Sequence, residues 1–387
     1  MAQQEPTTVP IALSCTNSAT ITLPWFVQRT EYNPAPAIFK PLLNGKESFG
    51  AVYDAIENAT ASVDYICWAF QPSMYFKRDG GKSLRIGDLL IKVAQQKGVK
   101  VRILCWIDPF LLSQLSEQNV PEYSVFRPAN TAKKPIEDDA EIEYDRRWFE
   151  HARRSASPNP APAAQWSVDG PWPSSLRDIG IEFETRGFSL WTRLGITVRH
   201  AWAKLCGEPG ITLRSILGYA AEPSHHQKAA LIDYEAPERA VGFIMGHNTL
   251  DGYWDDNEHR YEKQAPEQGR NGLTPLQDLS TQLFGPILQY LNANFCQAWQ
   301  RVRGQEELAQ ARKGNEKRLM PVHVQPQEPD KPPYDPIGML MVRCQPSSKR
   351  RPAPGRCIWP PRPWKCPAPG RSVAGSGPDR VGDRGWI

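Results

Sequence analysis

Ile86-Gly-Asp-Leu-Leu-Ile-Lys-Val-Ala-Gln-Gln-Lys97, then Gly98-Val99, then Lys100-Val-Arg-Ile-Leu-Cys-Trp106, is the stretch that decides the fold. Ile86, Leu89, Leu90, Val93 and Ala94 recur at helical spacing on one face. Gly98 supplies a stop that tolerates a left-handed backbone, and the apolar run to Trp106 is the length of a buried strand. Upstream the same order repeats. Asn44-Gly45 opens a helix carrying Phe49, Val52, Ile56 and Ala59, which feeds the strand Ser62-Val-Asp-Tyr-Ile-Cys-Trp-Ala-Phe70. Helix and strand in alternation predict an α/β fold, a mixed β-sheet flanked by helices.

Downstream the pattern weakens. Residues 126–176 turn charged and then rich in Pro, Ala and Ser, which predicts a loop-rich insertion, lid-like or a plain solvated surface loop, least structured from Ser155 to Ser175. A mixed helical region runs from Arg186 to Cys206. The sheet resumes with Gln227 to Tyr234 and Arg239 to Met245, joined by the turn residues Glu235-Ala-Pro-Glu238. Phe284, Ile287, Leu288, Leu291, Phe295 and Trp299 predict one long buried helix from Leu279 to Val302. Residues 1–36 have no period and are expected to form an extended arm, with regular structure beginning near Asn44.

The chain has 387 residues and a formal charge of +4, but the basic excess is local. Residues 341–387 hold ten Lys/Arg against two Asp/Glu, leaving 36 basic and 40 acidic residues in the rest. A folded part with net charge −4 makes nucleic acid an unlikely partner, because binding it calls for a basic face. The eight cysteines show neither disulfide nor metal spacing, and Cys67 and Cys105 lie in apolar strands where a thiol packs as a small hydrophobe. No secretory signal or membrane-spanning run is visible, so synthesis in the cytoplasm is expected. The Pro-, Arg- and Gly-rich composition after Pro346 predicts disorder, and its bias toward GC-rich codons suggests a frameshift or truncation.

The chemistry concentrates in Ser224-His-His-Gln-Lys-Ala-Ala-Leu-Ile-Asp233. His226 and Lys228 are two residues apart and share one face of a strand, whereas Asp233 has the opposite parity and reads as an orienting or structural residue. Gly246-His-Asn248 ends the neighbouring strand and offers an amide from Asn248 or an imidazole from His247 for binding substrate. Phosphodiester cleavage needs a nucleophile for phosphorus and fixed donors for charge on its oxygens, and these residues supply both. A polar turn with a solvated Lys and a capping Asp would also use them. The strand context and the following buried segment favour the chemical reading. Neither a metal nor a cofactor is expected, since no Asp/Glu/His cluster with ligand spacing accompanies the motif.

The spacing H-x-K-x-x-x-x-D from His226 through Lys228 to Asp233 resembles that of the phospholipase D superfamily. Asn44-Gly45, the strand containing Trp68, Gly252-Tyr-Trp-Asp-Asp256, and Gly285-Pro286 leading to Phe295 and Trp299 extend the likeness over about residues 37–340. The resemblance implies a half-domain of that family, hydrolysing phospholipids through a phosphohistidine on His226 with a second histidine as general acid. Around His225 to Asp256 the chain is most similar to bacterial effectors delivered by type VI secretion, implying a membrane phospholipid substrate and a secretion-apparatus partner. Two departures stand out. The Gly-rich turn is one residue short before Asn248, and no second H-x-K exists among the seven histidines. A homodimer sharing one site, a nuclease working as such a dimer, and an inactive half-domain are the alternatives that follow.

Overall fold

The computed structural model describes residues 32–33, 35–107, 120, 139–159, 166–168, 170–207, 211–221, 223–304, 306–322 and 339–342. Its centre is an eight-stranded sheet in the order β4-β3-β2-β5-β6-β7-β1-β8. In chain order the strands are β1 (Ala35–Leu43), β2 (Ser62–Cys67), β3 (Lys100–Trp106), β4 (Ile181–Arg186), β5 (Ala229–Ile232), β6 (Val241–Met245), β7 (Leu279–Phe284) and β8 (Met339–Val342). The helices are α1 (Asn44–Glu57), α2 (Ile86–Lys97), α3 (Asp139–Arg153), α4 (Leu190–Leu205), α5 (Leu213–Ala221), α6 (Leu288–Arg303) and α7 (Glu307–Ala311). β2, β3 and β4 run parallel, and every other pairing is antiparallel. The fold is α/β with a mixed sheet, as the alternation of helices and strands predicts.

Strand parity divides the core into two layers. Val63, Tyr65 and Cys67 of β2, Val101, Ile103 and Cys105 of β3, and Ala230 and Ile232 of β5 pack with Phe49, Val52 and Ile56 of α1 and Leu89, Leu90 and Val93 of α2. Residues of the other parity turn to α6. Ile66 and Leu104 meet Phe295 and Trp299, and Leu231 and Leu283 meet Ile287, Leu288 and Leu291. α2 ends where the sequence says it must, with Gly98 at φ 67° accepting the left-handed turn. On the α6 side, Arg312 bridges Asp64 and Glu235, and Arg102 bonds the same two acids, tying the segment after α6 to the sheet.

Four expectations are corrected. Among the described residues regular structure is present from Ala35, nine residues before Asn44, because β1 fills the space between β7 and β8 despite Pro36 and Pro41. The helix expected from Leu279 is two elements: residues 279–284 pair with β6 and β1 as β7, Gly285 turns at φ 93°, and the helix begins at Leu288. The loop-rich stretch at 126–176 contains the fifteen-residue helix α3, whose Trp148, Phe149 and Ala152 are buried in the main core. Asp145 of this helix accepts the Ser73 N–H and hydroxyl, at 2.7 and 3.0 Å, so α3 is part of the domain body. Met339–Val342 pairs with β1 as an edge strand across the expected tail boundary. The expected arm and the tail beyond residue 342 otherwise lie outside the described residues.

Candidate active site

The sheet register brings the carboxyl ends of β2, β3, β4 and β6 to the same edge as the amino ends of β5 and β7. Open α/β sheets bind ligands at such an edge. The segment leading into β5 carries His226 and Lys228 there. The Met245 N–H donates to the Lys228 carbonyl at 2.9 Å, which holds the exit of β6 beside the motif. The next residue, Gly246, donates to the Leu279 carbonyl at 3.1 Å. A side chain at Gly246 would run into the Asp278 carboxylate and come within 2.6 Å of that carbonyl, so the turn that delivers His247 and Asn248 requires glycine.

Lys228 is only 6 % exposed, and its Nζ lies 3.2 Å from Nδ1 and 3.3 Å from Nε2 of His226. The Trp68 ring meets the His226 ring edge-on, with centroids 5.6 Å apart. Burial, then the Lys228 charge, push the His226 imidazole down to about 4, and Asp278 partly opposes them. His226 is therefore neutral at physiological pH and keeps a lone pair for attack. His225 takes the other side of the segment, stacked on Phe188 with centroids 4.2 Å apart. Burial and the charges of Arg186 and Arg301 lower it to about 3.

His247 and Asn248 are both buried in the neighbouring turn. His247 Nδ1 pairs with the Ser280 hydroxyl at 2.8 Å. Burial first, with a contribution from Lys228, lowers this imidazole to about 4, again against Asp278. His247 Nε2 and Asn248 Oδ1 are buried with no hydrogen-bond partner among the described residues. Leaving such atoms unpaired costs roughly 1–3 kcal/mol each, a cost that a phosphate-bearing ligand could remove. For Asn248 this requires its amide to rotate so that the NH₂ donates.

Asp233 is elsewhere. At φ 58° it turns away past the end of β5 and accepts the Thr60, Ala61 and Ser62 N–H groups and the Thr60 hydroxyl, at 2.8–3.2 Å. It fastens the α1–β2 connection to the motif strand. The sequence brings its three signature residues onto one segment, but the structure puts only His226 and Lys228 at this edge of the sheet.

Asp278, Ser280 and Phe188 are the neighbours that sequence reasoning missed. Asp278 and Ser280 carry no motif and reach the edge only through the pairing of β7 with β6. Asn44 also contributes to this edge, donating its N–H to the Asp278 carbonyl at 3.0 Å. Its neighbour Gly45 lets α1 approach the Trp254–Asp255 backbone, where a Cβ would meet Trp254 Cα at 2.7 Å. Trp254 itself is buried and donates Nε1–H to the Phe76 carbonyl, a packing role. Among the described residues no group of three or more His, Cys, Asp or Glu could hold a metal ion.

No protein-family model matches the sequence, and no curated protein matches it. Among solved structures the chain is similar to Nuc from Salmonella typhimurium, a phospholipase D family member, at 10 % identity and a TM-score of 0.31, covering 69 % of this chain and 96 % of that one. It is also similar to NucT from Helicobacter pylori, at 11 % identity and a TM-score of 0.24, covering 63 % and 85 %. TrmBL2, an archaeal chromatin protein, matches at 9 % identity and a TM-score of 0.26, covering 68 % and 53 %. Superpositions this loose leave the chemistry to be read from the site itself.

Proposed function

We propose that this chain is a phospholipase D-type phosphodiesterase in which His226 attacks phosphorus. The observation that carries this reading is the His226–Lys228 pair, a neutral imidazole held 3.2 Å from an ammonium at the active edge of the sheet. A ring nitrogen of His226 forms the N–P bond as the P–O bond to the leaving alcohol breaks, and the alcohol oxygen takes a proton from a general acid. Water, giving its proton to the same group now acting as general base, then cleaves the phosphohistidine, releasing the phosphomonoester and restoring both imidazole and acid. Lys228 binds the non-bridging oxygens throughout, with His247 and Asn248 donating from the neighbouring turn.

The general acid is the missing part. We assign it to His226 of a second copy, related by a two-fold axis, because one chain supplies one H-x-K motif. Residues 37–340 are the proposed catalytic half-domain, with phospholipid as substrate. Delivery to a target membrane by type VI secretion extends the same reading and rests on the sequence resemblance alone.

The test compares wild type with His226→Ala on bis-p-nitrophenyl phosphate, phospholipid vesicles and single-stranded DNA. The reading expects release of phosphatidic acid and of nitrophenol by wild type only. Cleavage of DNA with intact phospholipid would assign the same chemistry to a nuclease, and equal rates in His226→Ala would remove His226 from the reaction.

A further inference from the structure

We propose that α4 is an interfacial helix that seats the active edge on an anionic phospholipid surface, which deepens and rests on the phospholipase reading above. α4 is amphipathic in the reverse of the usual sense. A helix on a folded domain ordinarily turns its apolar stripe inward. Here Leu190, Trp191, Leu194, Val198, Trp202 and Leu205 all face solvent, with Trp191 81 % and Trp202 61 % exposed. At 3.6 residues per turn these six positions fall within an arc of about 120°, so they form one continuous stripe. Scattered apolar residues on a surface need no explanation, but a contiguous stripe with two tryptophans marks an interaction site.

Charge identifies what covers it. Residues 186–207 contain Arg186, Arg193, Arg199 and Lys204 and no Asp or Glu. Arg193 is buried and donates Nε–H to the Phe188 carbonyl, so it belongs to the inner face. Arg199 and Lys204 are exposed, and on the helix they fall one on each side of the apolar arc. α5 packs beside α4 and adds exposed Leu213 and Arg214. An apolar stripe containing Trp and rimmed by cations fits a layer with an apolar interior and an anionic rim, the description of an acidic lipid surface. No helix among the described residues is long and apolar enough to cross a membrane, and α4 would lie in the plane of the lipid.

The stripe is continuous with the active edge. Phe188, two residues before α4, stacks on His225 and packs with Trp68 and Trp106, and Trp68 meets His226. Arg186 donates to the Gln227 side chain at 2.9 Å, between the two motif residues. A helix embedded at the headgroup level would therefore hold His226 near the depth of the phosphates.

The test is vesicle co-sedimentation of the full chain with phosphatidylcholine vesicles, with or without 30 mol % phosphatidylglycerol, alongside hydrolysis of bis-p-nitrophenyl phosphate and sedimentation velocity. Wild type and His226→Ala are expected to bind the anionic vesicles equally. Trp191→Ala/Trp202→Ala should weaken that binding at least tenfold while hydrolysing the soluble diester as wild type does. Arg199→Glu/Lys204→Glu should abolish the preference for anionic vesicles. Unchanged vesicle binding by the tryptophan variant overturns the proposal, as does absence of wild-type binding or equal binding to neutral vesicles. If the tryptophan variant instead converts a wild-type dimer to monomers without altering vesicle binding, the stripe is a contact between copies and the proposal fails. Loss of soluble-diester activity in His226→Ala is judged separately and bears only on the catalytic reading.

Discussion

Replacing Asp233 with Ala should separate stability from catalysis within the signature motif. The carboxylate accepts three backbone N–H groups, from Thr60, Ala61 and Ser62, together with the Thr60 hydroxyl. A hydrogen bond to a charged group contributes about 1.5–3 kcal/mol, but Thr60 is exposed and water would recover part of that loss. Alanine must also occupy φ 58°, which costs about 1 kcal/mol where Asp is tolerated. With about 3 kcal/mol left for the carboxylate's bonds after that recovery, the sum is about 4 kcal/mol, a large share of the roughly 5–15 kcal/mol that holds a domain together. At about 2–4 °C per kcal/mol for a domain of this size, the melting temperature should fall by about 8–16 °C. Asp233→Asn keeps an acceptor oxygen and tolerates the backbone, so it should lose less than half as much. Circular dichroism melts read the stability, and diester hydrolysis at 15 °C, below the onset of unfolding, reads the chemistry. The folded variant should retain its rate within about threefold. An unchanged melting temperature with a hundredfold loss of rate would refute the structural assignment and put Asp233 in the reaction.

Lys228→Met should lower kcat/KM by about 10²- to 10³-fold on the soluble diester with the melt preserved, since it removes one fixed donor to the phosphoryl oxygens. The acid limb of the wild-type kcat/KM profile should lie near pH 4, where His226 loses the proton that blocks attack, and activity should fall again above it as the two-fold-related His226 loses the proton it must donate. Asp278 holds the proton on His226 more tightly, so Asp278→Asn should move this limb to lower pH; a shift upward would contradict the geometry. Activity should rise more steeply than linearly with protein concentration, since general acid help is typically worth about 10²- to 10⁴-fold and comes from the second copy. Strict proportionality from a chain that sediments as a monomer would end the shared-site account.

How far the sequence could be read depended on local periodicity. α1, α2 and β3 carry uninterrupted patterns and strong stops, such as Gly98, and are found at the expected positions. β1 was hidden because Pro36 and Pro41 argue against a strand inside a sheet, and only its placement between β7 and β8 makes it one. The expected helix absorbed β7 because Phe284 lies one helical turn before Leu288; Gly285-Pro286 was the boundary signal. α3 is so charged that its buried Trp148, Phe149 and Ala152 do not dominate the pattern, and tertiary packing decides its state. His226 and Lys228 meet as strand parity predicts, although both lie in the segment before β5 and not in the strand itself. The contributions of Asp278 and Ser280 depend on which strand lies beside β6, and no local feature of the sequence specifies that.

The central claim is that His226 becomes covalently bound to phosphorus. Acid-labile phosphohistidine can be captured by rapid quench of wild-type chain with a ³²P-labelled diester, alkaline denaturation, and peptide mapping by mass spectrometry. The account predicts one phosphate on the peptide containing His225 and His226, assigned to His226 by fragmentation, and none in His226→Ala. Turnover with no labelled histidine at any quench time, or label on His225 or His247 instead, would contradict it.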